Sequence, residues 1–453
     1  MPMPTPTGNA LPSQALGAFS ALVGVLPVTV LATANQLYIF NGGALENQNL
    51  VLTNSVNQWS FTLYGNDLIA VDGVDPAQVS INGANFTALG GSPPVFSIIE
   101  ATDFSLFGIV PNSSQLYFTL NDTLWTPNIS TQTGTLTLTS TPGTITAARA
   151  MRGGINIYKR NSFFNGQFGG PPFFWQFTKV SDQIGTPGMH SAIKTDAIQY
   201  FWGPDDFYAT DGFSVWRVQN NVRNWFKANL NTAFDYLIYG WYDLSRSQLI
   251  WNFSSNNANP AGSYDMYVSY SLLTGKWAKG NWLMDIPVSG QVGAQTAWTW
   301  AFFENTYGQW ANLPANLVWG SALFNGSRAS LAAFVDTRLI LNLLNAPWNS
   351  TIPAFITTGY LGDKVNVYRI SRARGGFKSL PGTGPLANST KLTVYSTYNE
   401  GMPVNALAGP VPISNYGFYD VVCSDRLQQL KIGWYADAEL ADLDVTINYS
   451  GNQ

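Results

Sequence analysis

Residues 59–73 read Trp-Ser-Phe-Thr-Leu-Tyr-Gly-Asn-Asp-Leu-Ile-Ala-Val-Asp-Gly. Two short apolar runs flank a Gly-Asn-Asp turn, and an Asp-Gly turn closes the second run. That spacing is a β-hairpin's. The same grammar continues outward. Residues 34–42 form an apolar run ended by Asn-Gly-Gly, a strand and its turn. Residues 134–139, Lys391 to Tyr395 and Asp442 to Tyr449 alternate polar with apolar, the period of a strand with one buried face.

Helical periodicity is scarce. Residues 219–232 place Val222, Trp225, Phe226 and Leu230 on one face, which predicts a helix of about three turns. A weaker helical pattern lies near 337–344. The 42 Gly and 25 Pro are spread along the whole chain. Turn signals recur about every 8–14 residues, as in a sandwich, barrel or propeller.

Four stretches share a loose internal pattern of strand, turn, strand and Gly-containing turn: Tyr64 to Gly73, Ala197 to Val218, residues 247–277 and residues 317–334. Antiparallel units at a period of about 40–60 residues are what propeller blades produce. A single four-stranded blade can bury neither of its faces, whereas radial stacking covers both. The expectation is an all-β fold, a β-propeller of about six to eight blades with few short helices. Residues 1–33 are expected to form an N-terminal arm, 34–435 the propeller-like domain and 436–453 a C-terminal strand or tail.

The chain has 453 residues, of which 11% are charged, 45% hydrophobic and 14% aromatic. An average soluble domain carries about 25% charged residues. An aromatic, charge-poor surface is what buried interface looks like, so this surface is expected to be covered by partners. The net charge of −4 provides no basic field to hold nucleic acid by counterion release.

The longest apolar stretch, Leu16 to Ala32, is interrupted by Ser20, Gly24, Pro27 and Thr29 and only reaches the lower edge of a span of about 20 residues. No Lys or Arg precedes it, so it is expected to be a buried strand or arm rather than a signal peptide. Asn-x-Ser/Thr triplets (Asn85, Asn112, Asn128, Asn252, Asn349) arise by chance in so Asn-, Ser- and Thr-rich a chain. The single cysteine, Cys423, excludes an internal disulfide framework. It is expected in the core.

His190 is the only histidine. Its neighbour Ser191 would point to the opposite face of a strand, and no Gly-x-Ser-x-Gly elbow accompanies it, so a catalytic triad is not expected. One His and one Cys cannot assemble an ordinary zinc site. The acidic group Asp437, Glu439, Asp442 and Asp444 lacks the Asp-x-Asp-x-Asp-Gly loop of a calcium site and reads as a solvated strand edge. Asp205-Asp206, after Gly203-Pro204, reads as a turn.

Thr210 to Trp216 and Ser269 to Trp277 come close to the Asp boxes of sialidases, but the first has the wrong spacing and the second lacks the Asp. The densest basic group is Arg369, Arg372, Arg374 and Lys378, beside Phe377. It suits either single-stranded nucleic acid or, the favoured reading, salt bridges to a neighbouring subunit. No phosphate-binding loop is present. No catalytic residue, metal or cofactor is expected.

Three stretches carry a resemblance. The first is Ile155-Asn-Ile-Tyr-Lys-Arg-Asn-Ser-Phe-Phe, with Val180-Ser-Asp-Gln-Ile-Gly-Thr-Pro-Gly-Met-His-Ser-Ala-Ile and then Asp211-Gly-Phe213. The second runs from Tyr239-Gly-Trp-Tyr-Asp through Asp265-Met-Tyr-Val-Ser-Tyr to Gly275-Lys-Trp277. The third is Thr357-Thr-Gly-Tyr-Leu-Gly-Asp, Val365-Asn-Val-Tyr-Arg-Ile and Cys423-Ser-Asp-Arg-Leu-Gln-Gln-Leu-Lys-Ile-Gly.

Together they resemble the β-propeller tail hub and nozzle proteins of short-tailed bacteriophages, which include the packaged-DNA stabilisation proteins. The likeness spans about residues 34–435 and is one of texture and order. It implies a structural virion protein of the tail: a homo-oligomeric ring, commonly a hexamer, bound to portal or adaptor and other tail proteins. Double-stranded DNA would pass without sequence-specific binding, and no membrane or enzymatic activity is implied. The alternative is a carbohydrate-binding or glycoside-cleaving propeller on a virion or secreted surface, with Trp298, Trp300 and Trp310 stacking on sugars. A jelly-roll capsid protein is a third possibility.

Overall fold

In the computed structural model, the described residues are 10–24, 26–40, 45–120, 133–195, 197–244, 246–290, 333–335, 338–340, 354–362, 366–379, 390–397, 405–414, 418–434 and 438–452. The chain divides into two compact units, residues 6–345 and residues 346–453 with 1–5.

The hairpin read at 59–73 forms as expected. Ser60–Tyr64 pairs with Asp67–Val71, from Ser60 opposite Val71 to Tyr64 opposite Asp67. Gly65 takes the left-handed backbone angle of the tight turn, φ +61°, which costs a glycine little.

This hairpin opens the second of six four-stranded antiparallel meanders. Blade 1 comprises Gly17–Val23, Leu26–Ala32, Leu37–Phe40 and Leu45–Asn47. Blade 2 comprises Ser60–Tyr64, Asp67–Val71, Gln78–Ser80 and Thr87–Ala88. Blade 3 comprises Ile98–Ala101, Leu106–Ile109, Gln115–Thr119 and Thr133–Thr137. Blade 4 comprises Ile145–Met151, Gly154–Lys159, Phe163–Gly170 and Phe174–Ser181. Blade 5 comprises Ile193–Lys194, Gln199–Trp202, Phe207–Thr210 and Val215–Arg217. Blade 6 comprises Tyr239–Asp243, Gln248–Phe253, Tyr264–Ser271 and Trp277–Met284.

Among the described residues a seventh sheet has three strands, Ile286–Pro287, Ala333–Val335 and Arg338–Ile340. The first strand of each blade lies beside that of the next from blade 1 to blade 6, and Ile286–Pro287 returns to Gly17–Val23. Ser289 and Gly290 then pair in parallel with Phe19 and Ser20, which closes the circle. The seven sheets surround one axis as propeller blades, within the expected six to eight.

Successive residues of a strand point to opposite faces, and here both faces are buried. In Asp67–Val71, Leu68 and Ala70 pack with Val30, Ile39 and Trp59 toward blade 1. Ile69 and Val71 pack with Phe96, Ile99 and Leu106 toward blade 3. In blade 4, Ile155 and Ile157 meet Phe107 and Phe118 of blade 3, while Tyr158 meets Phe201 and Tyr208 of blade 5. Trp202, Phe207 and Trp251 fill the gap between blades 5 and 6. Each such side chain contributes about 1.5–3 kcal/mol on full burial, which accounts for the aromatic excess of the sequence.

The helix expected at 219–232 is present but shorter, Arg223–Asn229, and runs into a 3-10 turn at Thr232–Leu237. Val222, Phe226 and Leu230 are buried between blades 5 and 6, with Trp225 partly buried beside them. The second helix expectation fails. Arg338–Ile340 is a strand of the seventh sheet, and 341–344 lie outside the described residues.

The expected domain limits also change. Residues 1–33 are not an arm as a whole, because Gly17–Val23 and Leu26–Ala32 are the first two strands of blade 1. Ala18, Ala21, Val28, Val30, Leu31 and Ala32 are buried in them. The propeller unit ends by residue 345 rather than 435.

The second unit contains two antiparallel sheets. One orders Ala354–Thr357, Leu427–Trp434, Thr390–Thr397 and Asn405–Pro412. The other places Phe418–Tyr419 and Cys423–Asp425 along Asn366–Ser379. Ala438–Asn452, read as a terminal strand, pairs along the full length of Asn366–Ser379 and belongs to this unit. Ile370 and Ala373 share a core with Leu392, Val394, Leu430, Ile432 and Cys423, so Cys423 is buried as expected. Burial, with the nearby Asp425 charge second, pushes its thiol up to about 11.

Candidate functional site

All first strands of the propeller run the same way, so the first and third turns of every blade emerge on one face. The second turns and the links between blades emerge on the other. These are the odd-turn and even-turn faces. Each face opens into a cavity at the axis.

The odd-turn cavity is about 390 Å³, in the range of roughly 300–1,000 Å³ usual for small-molecule sites. Phe19, Phe61, Tyr239 and Trp241 wall it, and Lys194 and Leu244 reach it from strand ends. Glu100 is the one carboxylate among its lining residues. The even-turn cavity is about 320 Å³. It is lined by Asn57, Gln58, Asp72, Asn112, Thr144 and Tyr236 among others, and Asp72 is its one carboxylate.

A polar plug separates the two. Arg149, in the first strand of blade 4, donates from Nε to the Ala192 carbonyl at 3.0 Å. Its Nη1 donates to Glu100 Oε2 at 3.4 Å and to the Ala148 carbonyl at 3.2 Å. Its Nη2 donates to the Met189 carbonyl at 2.8 Å and to His190 Nδ1 at 3.3 Å. Five N–H groups therefore meet five acceptors, which is all a guanidinium has. Glu100 Oε1 accepts the Ala150 N–H at 2.9 Å. Met189 lines the even-turn cavity and His190 the odd-turn one.

His190 is buried, stacked on Tyr239 with centroids 4.4 Å apart. Its Nε2 lies 3.0 Å from the Trp59 carbonyl. A carbonyl only accepts, so the geometry assigns the proton to Nε2 and leaves Nδ1 to accept from Arg149. Burial, then the Arg149 charge, push the imidazole down to about 3, although the Trp59 carbonyl opposes them. His190 is thus a neutral inter-blade tie. The Ser191 hydroxyl is buried with no hydrogen-bond partner among the described residues, and no serine hydroxyl is among the imidazole's hydrogen-bond partners.

On the even-turn face, Asp72 Oδ1 accepts the Val74 and Asp75 N–H groups at 3.0 and 2.9 Å. Asp72 Oδ2 is buried and has no partner among the described residues. Burial raises this carboxyl above the ordinary aspartate range.

The remaining sequence candidates fall elsewhere. Asp205 and Asp206 form a turn as read, and there they pair with Arg217 and Arg223. Arg369, Arg372, Arg374 and Lys378 share the strand Asn366–Ser379 of the second unit. Arg372 pairs with Asp420 of its own chain, Nε to Oδ1 at 3.0 Å, where a bridge to a neighbouring subunit was expected. Asp444 is exposed on Ala438–Asn452, and no group of metal-ligating side chains forms among the described residues. Asp437, Trp298, Trp300 and Trp310 lie outside the described residues. Glu100 and Arg149 were not singled out in the sequence. Their signal was a charged residue within a buried strand, Ile98-Ile-Glu-Ala and Ala147-Ala-Arg-Ala.

The odd-turn face has a further property. Phe104 and Leu244 project from first turns, and Ile81, Phe173, Phe213 and Leu273 from third connections, all exposed. Phe173, Phe213 and Leu273 are 75%, 72% and 78% exposed. Phe104 stacks on Phe168 of the next blade, centroids 4.5 Å apart. The even-turn face exposes the smaller Val51, Val56 and Val74, and Tyr236.

No family model matches the chain. No curated protein matches it either. Among solved structures it is similar to the extracellular domain of BT4673 from B. thetaiotaomicron, with 11% identity, TM-score 0.44, and 83% of this chain and 45% of that one covered. The chain thus spans less than half the length of that protein. It is also similar to the GH74 enzyme of Niastella koreensis, at 17% identity, TM-score 0.33, and 47% and 32% coverage. A third similar structure is BBS1N in complex with ARL6DN, at 11% identity, TM-score 0.40, and 75% and 96% coverage.

Proposed function

We propose that this protein is a structural subunit of a bacteriophage tail, of the hub or nozzle type, whose propeller packs its odd-turn face against further copies and neighbouring tail proteins. The observation that carries the reading is the set of large apolar side chains on that face, spread over blades 2 to 6. Large apolar side chains gathered on one face are what an association surface presents. An 11% charged chain has little polar surface to offset such a patch.

Double-stranded DNA would run through the lumen of a ring of copies, not through the propeller of one chain. The axis is stopped by Arg149 and His190, and its larger cavity holds about 390 Å³. A duplex whose major groove alone is about 12 Å wide does not fit there. A weakly acidic protein, of net charge −4, would let the duplex slide rather than stick.

Electron microscopy of the purified chain, alone and mixed with a portal-side ring, tests this. Closed rings in either sample are expected. Single particles in both would overturn the reading.

A further inference from the structure

We propose that the even-turn cavity is a binding site for a neutral, hydroxyl-rich ligand, a pyranose unit of an oligosaccharide. This goes beyond the assembly role and stands on a different face of the propeller. Its described lining residues include no Lys, Arg or His and only one carboxylate, so they offer neither counter-charge for an anion nor a cluster of carboxylates to neutralise a metal cation. They present side-chain amides and hydroxyls instead, Asn57, Asn112, Ser97 and Thr144. Each of these both donates and accepts, which matches a sugar hydroxyl that does the same.

Asn57 Nδ2 is engaged with the Asp72 carbonyl at 3.1 Å, which holds that side chain at the rim. Tyr236, 51% exposed, supplies a flat ring with one apolar face and one polar tip. The cavity, at about 320 Å³, is at the small end of known ligand sites, roughly 300–1,000 Å³. That size suits one ring with the rest of the chain outside.

Saturation-transfer NMR with cellotriose and with chitotriose tests the site. At least one is expected to bind with a Kd of about 1 mM. Tyr236→Ala and Thr144→Val, both at exposed positions, are each expected to weaken binding about tenfold or more. Phe213→Ser, on the opposite face, should leave it unchanged, which separates this site from the assembly surface. Absence of transfer to both sugars overturns the proposal. So does binding that survives Tyr236→Ala, or that falls equally in Phe213→Ser.

Discussion

Arg149 Nη2 donates to His190 Nδ1 at 3.3 Å, and the two residues come from different blades: Arg149 from the first strand of blade 4, His190 from the link into blade 5. The same imidazole reaches back to the Trp59 carbonyl at the start of blade 2. Three blades are thereby joined across the axis.

The tie requires a neutral imidazole. Its folded pKa of about 3 is below the usual value near 6.5. The unfolded chain therefore binds the proton first, and stability linked to His190 is full above about pH 6.5 and lost as pH falls toward about 3. The slope is at most about 1.4 kcal/mol per pH unit. Because His190 is the only histidine, its single imidazole NMR signal should stay unprotonated down to the folded pKa. His190→Gln, which can donate to Trp59 and accept from Arg149, should flatten the acid slope between those values. A titration near pH 6.5 in the native protein would contradict the arrangement.

Arg149→Met is expected to destabilise the propeller by about 1–3 kcal/mol, because it leaves the hydrogen-bond partners of a largely buried guanidinium unmatched. It strands Glu100 and leaves the Met189 and Ala192 carbonyls without their guanidinium donor. Urea unfolding of the variant checks this. A loss below about 1 kcal/mol, the worth of a surface pair, would show that the plug does not hold the blades.

Asp72 behaves oppositely to the ordinary aspartate. Burial raises its folded pKa, so it costs stability as pH rises through that value and costs nothing below the unfolded value. Asp72→Asn keeps an oxygen for the Val74 and Asp75 N–H groups. It should raise Tm at about pH 7 and leave Tm unchanged at about pH 3. A lowered Tm at neutral pH would contradict the orphaned oxygen.

The blades were legible because both chemistry and period are local. Trp59 to Gly73 names its own turn, and 219–232 shows its apolar stripe. Leu16 to Ala32 was legible as a buried strand or arm, but not as two strands of a blade, because Gly17–Val23 and Leu26–Ala32 are apolar on both faces and no alternation separates them. The break near residue 345 was missed because Asn366–Ser379 and Ala438–Asn452 read like any other strand pair, and only their long-range pairing sets them apart. The axial plug was illegible for the same reason. Glu100, Arg149 and His190 are brought together by closure of the ring, which no window of sequence shows.

Cys423 should be chemically quiet. Its thiol is buried against Gln428, Sγ to Oε1 at 3.3 Å, and raised to about 11, while the thiolate is the reactive form. Reaction with a soluble disulfide reagent should follow unfolding of the second unit. Rapid labelling of the native protein would contradict its place in the core.

The decisive measurement is sedimentation velocity over a wide range of concentration, comparing the natural chain with Phe213→Ser/Leu273→Ser. Both replaced side chains stand in solvent, so folding should be unaffected. The natural chain is predicted to shift to larger species as concentration rises, and the double variant to remain monomeric. A natural chain that sediments as one monomer throughout, or a double variant that associates equally well, would contradict an assembly role for the odd-turn face.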